Sequence, residues 1–229
     1  MGRAFAVKLS FLLLVFLLYP RMEARAMHDA SLTILALGDS TTAGTPGFFS
    51  PAEKPPAGWG DEKSQYAYWI LQRHPEWTVF NRGVRGQRSD QILWRFEREL
   101  TRLKPDVVVV LAGVNDLYQG YSVEDIKANL QKIYSLALEN NIRVMACTIL
   151  PYNESTDQIK QKMAETNDWI RSHAKQYGFL FCDTFALLDD PKNPGNLAGT
   201  PDGIHPDVAG YRRMGKAIER VLNQPLVVK

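Results

Sequence analysis

Five apolar residues in an unbroken row, Val107-Val108-Val109-Val110-Leu111, constrain this chain more than any other stretch. A strand with one wet face alternates apolar and polar side chains. A strand buried on both faces has no polar side to show, and such strands belong to parallel sheets covered by helices. Four further β-rich runs, over 32–37, 77–81, 142–150 and 179–182, alternate with longer segments of helical period over 65–73, 89–103, 123–140, 158–177 and 207–222. In the 123–140 segment, Val123, Ile126, Leu130, Ile133, Ala137 and Leu138 form one apolar stripe, and Ser122 with Asp125 fits a capping box at its start. Trp94, Phe96 and Trp169 also fall at helical spacings and are expected in the core. The alternation predicts an α/β fold: a three-layer α/β/α sandwich around a five-stranded parallel sheet, with right-handed crossovers and the site at the carboxyl ends of the strands.

The N-terminus is set aside from that fold. Arg3 and Lys8 precede an apolar run from Leu9 to Tyr19, and Ala24-Arg25-Ala26 has the small-x-small pattern of a signal-peptidase site. A run of about eleven residues falls short of the roughly twenty a membrane-spanning helix needs. Residues 1–26 are therefore expected to be a secretory signal and 27–229 a single domain, secreted or periplasmic, with no stable membrane span once the signal is cleaved. An uncleaved anchor, favoured by Arg21 and Arg25, would leave the same domain outside the membrane. The formal charge of +2 becomes −1 once the four cations and one anion of residues 1–26 are removed. Such a domain lacks the basic footprint that nucleic-acid binding requires. Cys147 and Cys182, the only two cysteines, lie in apolar runs; they read as buried free thiols, with a disulfide between neighbouring strands as the alternative. Nothing in the sequence specifies an oligomeric state.

The residues that carry chemistry sit at the ends of the expected strands. The first run breaks at Gly38-Asp39-Ser40, which puts a hydroxyl just beyond its end. A serine hydroxyl is a weak nucleophile and needs a base to take its proton and a third group to orient that base. Of the four histidines, His28 lies beside the cleavage site, His74 in a polar turn and His173 on a helix among Arg171, Ser172 and Lys175; all three read as solvated. His205 stands in Asp202-Gly203-Ile204-His205, where one turn can bring the Asp202 carboxylate to the ring and Pro206 can open a helix. The charge that develops on an attacked carbonyl needs converging donors. The candidates are the Ser40 backbone N–H, a backbone N–H near Gly83, and the Asn115 side-chain amide. Asp39 and Asp116 are rival acids that read as loop-bracing carboxylates. Arg82, Arg85 and Arg88 read as a solvated face, with recognition of an anionic group as the alternative. Tyr118 and Tyr152 follow strands and are candidate pocket residues. The segment 45–64, rich in proline and glycine yet carrying Phe48, Phe49 and Trp59, is expected either to wall or cap the site or to pack on itself.

Taken in order, Gly38-Asp39-Ser40, Gly83, Gly113-Val114-Asn115-Asp116 and Asp202-Gly203-Ile204-His205 resemble the four blocks of the SGNH or GDSL hydrolase superfamily. The resemblance implies a flavodoxin-like sheet, a Ser40-His205-Asp202 triad, an oxyanion hole from Ser40, Gly83 and Asn115, and neither metal nor organic cofactor. Thr41 departs from the name-giving leucine at a position outside the reacting set. The implied function is a serine esterase or acylhydrolase that cleaves carboxylic esters of small molecules, glycans or lipids through an acyl-enzyme. An acyltransferase using the same site, or a glycan-binding module of the same fold without turnover, are the alternatives. No phosphate-cradling glycine motif follows the first strand, which argues against a nucleotide-binding protein.

Overall fold

A computed structural model describes residues 31–224; the expected signal segment and His28 lie outside them. Five parallel strands make the main sheet: β1 (Thr33–Gly38), β4 (Thr78–Gly83), β5 (Val107–Leu111), β6 (Arg143–Cys147) and β7 (Leu180–Cys182). Their spatial order is β4-β1-β5-β6-β7. Counted along the chain within this sheet, that is 2-1-3-4-5, the order of flavodoxin-like sheets. A two-stranded antiparallel hairpin, β2 (Phe48–Phe49) with β3 (Trp59–Gly60), lies in the long irregular segment.

Strand geometry explains the two-sided core. Successive side chains point to opposite faces. Leu35, Leu37, Val108, Val110, Val144 and Ala146 accordingly pack on one side with Phe96 of α3 (Ser89–Leu103), Ile126 of α5 (Val123–Glu139) and Ile170 of α6 (Asp157–Tyr177). Ile34, Ala36, Val107, Val109 and Met145 pack on the other with Tyr66 of α2 (Tyr66–Leu71) and Tyr211 and Met214 of α8 (Val208–Leu222). All five residues of β5 are buried. This is the three-layer α/β/α arrangement expected from the unbroken valine run.

Local departures have local causes. The 142–150 run leaves the sheet at Cys147 because the Asn167 side chain takes over the backbone of Ile149, accepting from its N–H at 2.7 Å and donating to its carbonyl at 3.0 Å. On α5 the Ser122–Asp125 box forms, but Leu138 is 47% exposed, and Tyr134 takes a buried place on the apolar face. Trp94, expected inside, is 80% exposed, whereas Phe96 is fully buried and Trp169 is half-buried, stacked on Tyr134. Two histidines read as solvated are engaged instead. His74 bonds Glu76 and Glu219 and stacks on Trp77, and His173 stacks on Trp169. Cys147 and Cys182 are paired in register on β6 and β7, buried, and free thiols. Ser40 opens a short helix, α1 (Ser40–Ala43), and two further short helices lie outside the helical segments read from the sequence, α4 (Val114–Tyr118) and α7 (Thr184–Leu188).

Candidate active site

At the carboxyl end of β1 the chain turns directly into α1, and Asp39 makes the turn hold. Its carboxylate accepts the Thr41 N–H at 3.0 Å, the cap that a short helix needs for its first free amides. Ser40 is thereby fixed as the first residue of α1, 8% exposed, lining a cleft of about 280 Å³.

The second half of the site arrives from the far end of the chain. Asp202 is a turn residue whose Oδ1 accepts the N–H groups of Ile204 at 3.0 Å and His205 at 2.8 Å. The same turn sets its Oδ2 2.7 Å from Nδ1 of His205. The Gly203 carbonyl accepts from Asn153 N–H, and Asp207 caps α8 immediately beyond, so the segment is held on both sides. His205 Nε2 lies 2.9 Å from Ser40 Oγ across 165 residues of sequence. A carboxylate at Nδ1 keeps the proton on that nitrogen and leaves the Nε2 lone pair facing the hydroxyl. Burial pushes the Asp202 pKa up, but the hydrogen bonds from the His205 ring and from the His205 and Ile204 amides outweigh it and hold the carboxyl below its ordinary value. The hydroxyl, ring and acid singled out in the sequence thus form one continuous hydrogen-bonded series.

The candidate donors divide. Ser40 N–H has no acceptor among the described residues. Asn115, in α4 beyond β5, donates one Nδ2 proton to the Gln87 carbonyl at 2.9 Å, which fixes the amide; among the described residues its second proton has no acceptor, and Asn115 lines the cleft. Gly83 does not match its expected place. Its N–H donates to Asn81 Oδ1 at 3.0 Å, and it does not line the cleft. Its role is close packing, since a Cβ there would overlap the Ala43 backbone of α1. Gly86, three residues on, lines the cleft at a φ of 72°, and among the described residues its N–H finds no acceptor. The sequence signal was present in Asn81-Arg82-Gly83-Val84-Arg85-Gly86, which holds two glycines.

The remaining candidates have structural work. Asp39, fully buried, has its pKa pushed up to about 7 by loss of solvent, with Asp116 adding to the rise and the Thr41 N–H opposing it. Asp116 binds the Ser89 N–H at 2.8 Å and Ser89 Oγ at 2.5 Å, tying α4 to the start of α3. Arg82 pairs with Glu99 at 2.6 Å, and Arg88 with Asp90 at 3.0 Å. Arg85 alone of the three lines the cleft, its guanidinium 3.5 Å above the Phe49 ring and bonded to the Phe48 carbonyl at 2.8 Å. Tyr118 and Tyr152 both line it and meet edge to face, ring centroids 6.3 Å apart.

Segment 45–64 contributes Thr45 to the cleft, but chiefly it props the loop behind it. Ser50 Oγ donates to the Gly83 carbonyl at 2.5 Å, and Glu53 Oε1 accepts the Arg85 N–H at 2.9 Å. Trp59 stays 69% exposed beside Phe49.

Comparison with known proteins bears on the same residues. Residues 36–213 match the GDSL-like Lipase/Acylhydrolase family. An acetylxylan esterase from Geobacillus stearothermophilus is 27% identical over 175 residues, covering 68% of this chain and 78% of that protein. An arylesterase from Vibrio mimicus is 30% identical over 147 residues, covering 61% and 69%. The crystal structure of Axe2, the acetylxylan esterase from Geobacillus stearothermophilus, superposes with a TM-score of 0.69 at 22% identity, covering 86% of this chain and 97% of that one, which shows a shared fold.

Proposed function

We propose a mechanism from one premise: the chain belongs to the GDSL-like lipase/acylhydrolase family and is, at that level, an acyl or acetyl esterase. The observation that carries the reading is the hydrogen-bonded series from Ser40 Oγ through His205 to Asp202, with links of 2.9 and 2.7 Å, whose Ser40 and His205 line the cleft. Ser40 Oγ attacks the ester carbonyl carbon while its proton passes to His205 Nε2. The carbonyl π electrons move onto oxygen, and that oxyanion is met by the N–H groups of Ser40 and Gly86 and the second Nδ2 proton of Asn115. Collapse re-forms the carbonyl, breaks the bond to the alkoxy oxygen, and His205 returns the proton to the departing alcohol. Water then attacks the acyl-serine by the same route and releases the carboxylic acid.

Asp202 keeps the imidazole in the correct tautomer and stabilises the imidazolium, which is why a carboxyl held below its ordinary pKa suits the role. The reaction belongs outside the cytoplasm if residues 1–26 act as a secretory signal. Among the described residues no helix is long and apolar enough to cross a membrane. The test is Ser40→Ala: turnover of p-nitrophenyl acetate and labelling by a fluorophosphonate should both vanish, with an unchanged melting temperature. Retention of either would refute the assignment.

A further inference from the structure

We propose that the cleft beside Ser40 receives the acyl chain of the substrate, that this chain is longer than acetyl, and that Tyr118 is the outer wall that measures its length. The inference rests on the esterase reading above. Beyond the reacting residues, the cleft is walled mainly by apolar groups, among them Val114, Ile149, Leu150 and Ile204, with Tyr118 and Tyr152. Taking each heavy atom as about the size of a water molecule, whose share of liquid volume is roughly 30 Å³, a cleft of about 280 Å³ has room for an ester group and about six further carbons. An acetyl group would leave most of that space unfilled. Two large apolar side chains at the cleft, Tyr118 at 67% and Ile204 at 41%, stand in solvent, as a surface does that gains by being covered. The adjacent charge is already committed, because Arg85 is held by the Phe48 carbonyl and the Phe49 ring.

Three polar atoms of cleft residues, Thr45 Oγ1, Arg85 Nε and the Tyr152 hydroxyl, are buried with no hydrogen-bond partner among the described residues and oppose a purely apolar occupant. Of these, the Tyr152 hydroxyl offers a contact to a sugar hydroxyl. That alternative makes the experiment decisive. The purified protein is assayed on p-nitrophenyl acetate, butyrate, hexanoate, octanoate and laurate, and on an acetylated xylo-oligosaccharide, together with Tyr118→Ala and Tyr152→Phe. For an alkyl occupant, kcat/KM rises roughly three- to fourfold per methylene, peaks near hexanoate or octanoate, and has levelled off or fallen by laurate. Tyr118→Ala lowers the hexanoate-to-acetate ratio at least threefold. Tyr152→Phe keeps or raises that ratio, since it removes only the unpaired hydroxyl.

The proposal is overturned if acetate is the best of the series, or if Tyr118→Ala leaves the ratio unmoved. It is overturned equally if Tyr152→Phe selectively loses the acetylated sugar, which would make the cleft a carbohydrate site. Acetate turnover that depends on Ser40 would keep the esterase reading in each of those cases. Absence of turnover on every ester, with no fluorophosphonate labelling, would remove both.

Discussion

Gly83 and Gly86 are three positions apart and face different partners. Gly83 ends β4, where the absence of a side chain lets α1 lie against the strand, and its amide is spent on Asn81. Gly86 sits in the loop beyond, at a φ that disfavours other residues, with no acceptor for its amide among the described residues. A lone sequence cannot separate these roles, because the decision depends on where the strand ends and which side-chain acceptor lies nearby. Ser40, His205, Asp202 and Asn115 could be singled out in the sequence because each role proposed for them needs a particular functional group. A backbone N–H carries no such signature. If Asn115 donates to the developing oxyanion, Asn115→Ala should lower kcat by about 10²- to 10³-fold; a near-normal kcat with a lowered melting temperature would mean that its bond to Gln87 is its whole purpose. Asp39 makes a prediction about stability. Its folded pKa of about 7 lies above the ordinary 3.8, so the folded state holds the extra proton in that interval. Its contribution is therefore full below pH 4 and is lost as pH rises through 7. Asp39→Asn still caps Thr41 but cannot ionise. Urea melts between pH 4 and 8 should show the variant gaining on the parent as pH rises, by a few kcal/mol at most at about 1.4 kcal/mol per unit. Parallel curves would mean that Asp39 remains ionised.

At the scale of elements, the long helices and sheet strands were readable because periodicity accumulates over many residues, and α3 falls at the expected 89–103. The four- and five-residue helices α1, α4 and α7 are too short to show a period, and their start signals are single capping residues such as Asp39 and Asp183. Trp94 shows the opposite failure: its spacing fits a helix, but spacing alone does not say which flank of α3 meets the sheet. Segment 45–64 was conspicuous, yet its contacts are made by single polar atoms reaching a loop more than thirty positions away. Those atoms yield a test of the brace. Glu53→Ala frees the Arg85 amide next to Gly86, so kcat should fall about tenfold for the loss of about 1.4 kcal/mol of donor placement, with KM for a short ester little changed. An unaltered kcat would show that the segment does not hold the loop.

For the molecule as a whole, the strand order places the site. Connections leave β1 toward β4 on one flank, and the sheet then continues from β1 to β5 on the other, so a crevice opens between the carboxyl ends of β1 and β5. Ser40 follows the first of these strands and Asn115 the second. The valine run announced a doubly covered sheet, but the order of its strands is a property of long-range pairing that no local pattern encodes. Burial across the sheet also bears on Cys147 and Cys182, paired side by side on β6 and β7. The native protein should leave a thiol reagent such as DTNB unreacted, and two thiols should titrate on unfolding in denaturant without reductant. A titre of zero after unfolding would reveal a disulfide instead. The 165 residues that separate Ser40 from His205 have their own consequence during biosynthesis. On a translating ribosome the proposed nucleophile emerges long before its proposed base, so on this reading a polypeptide that stops short of His205 is chemically inert. Docking of that late segment would arm it, and the first hydrolytic event would report that the two ends of the domain have met.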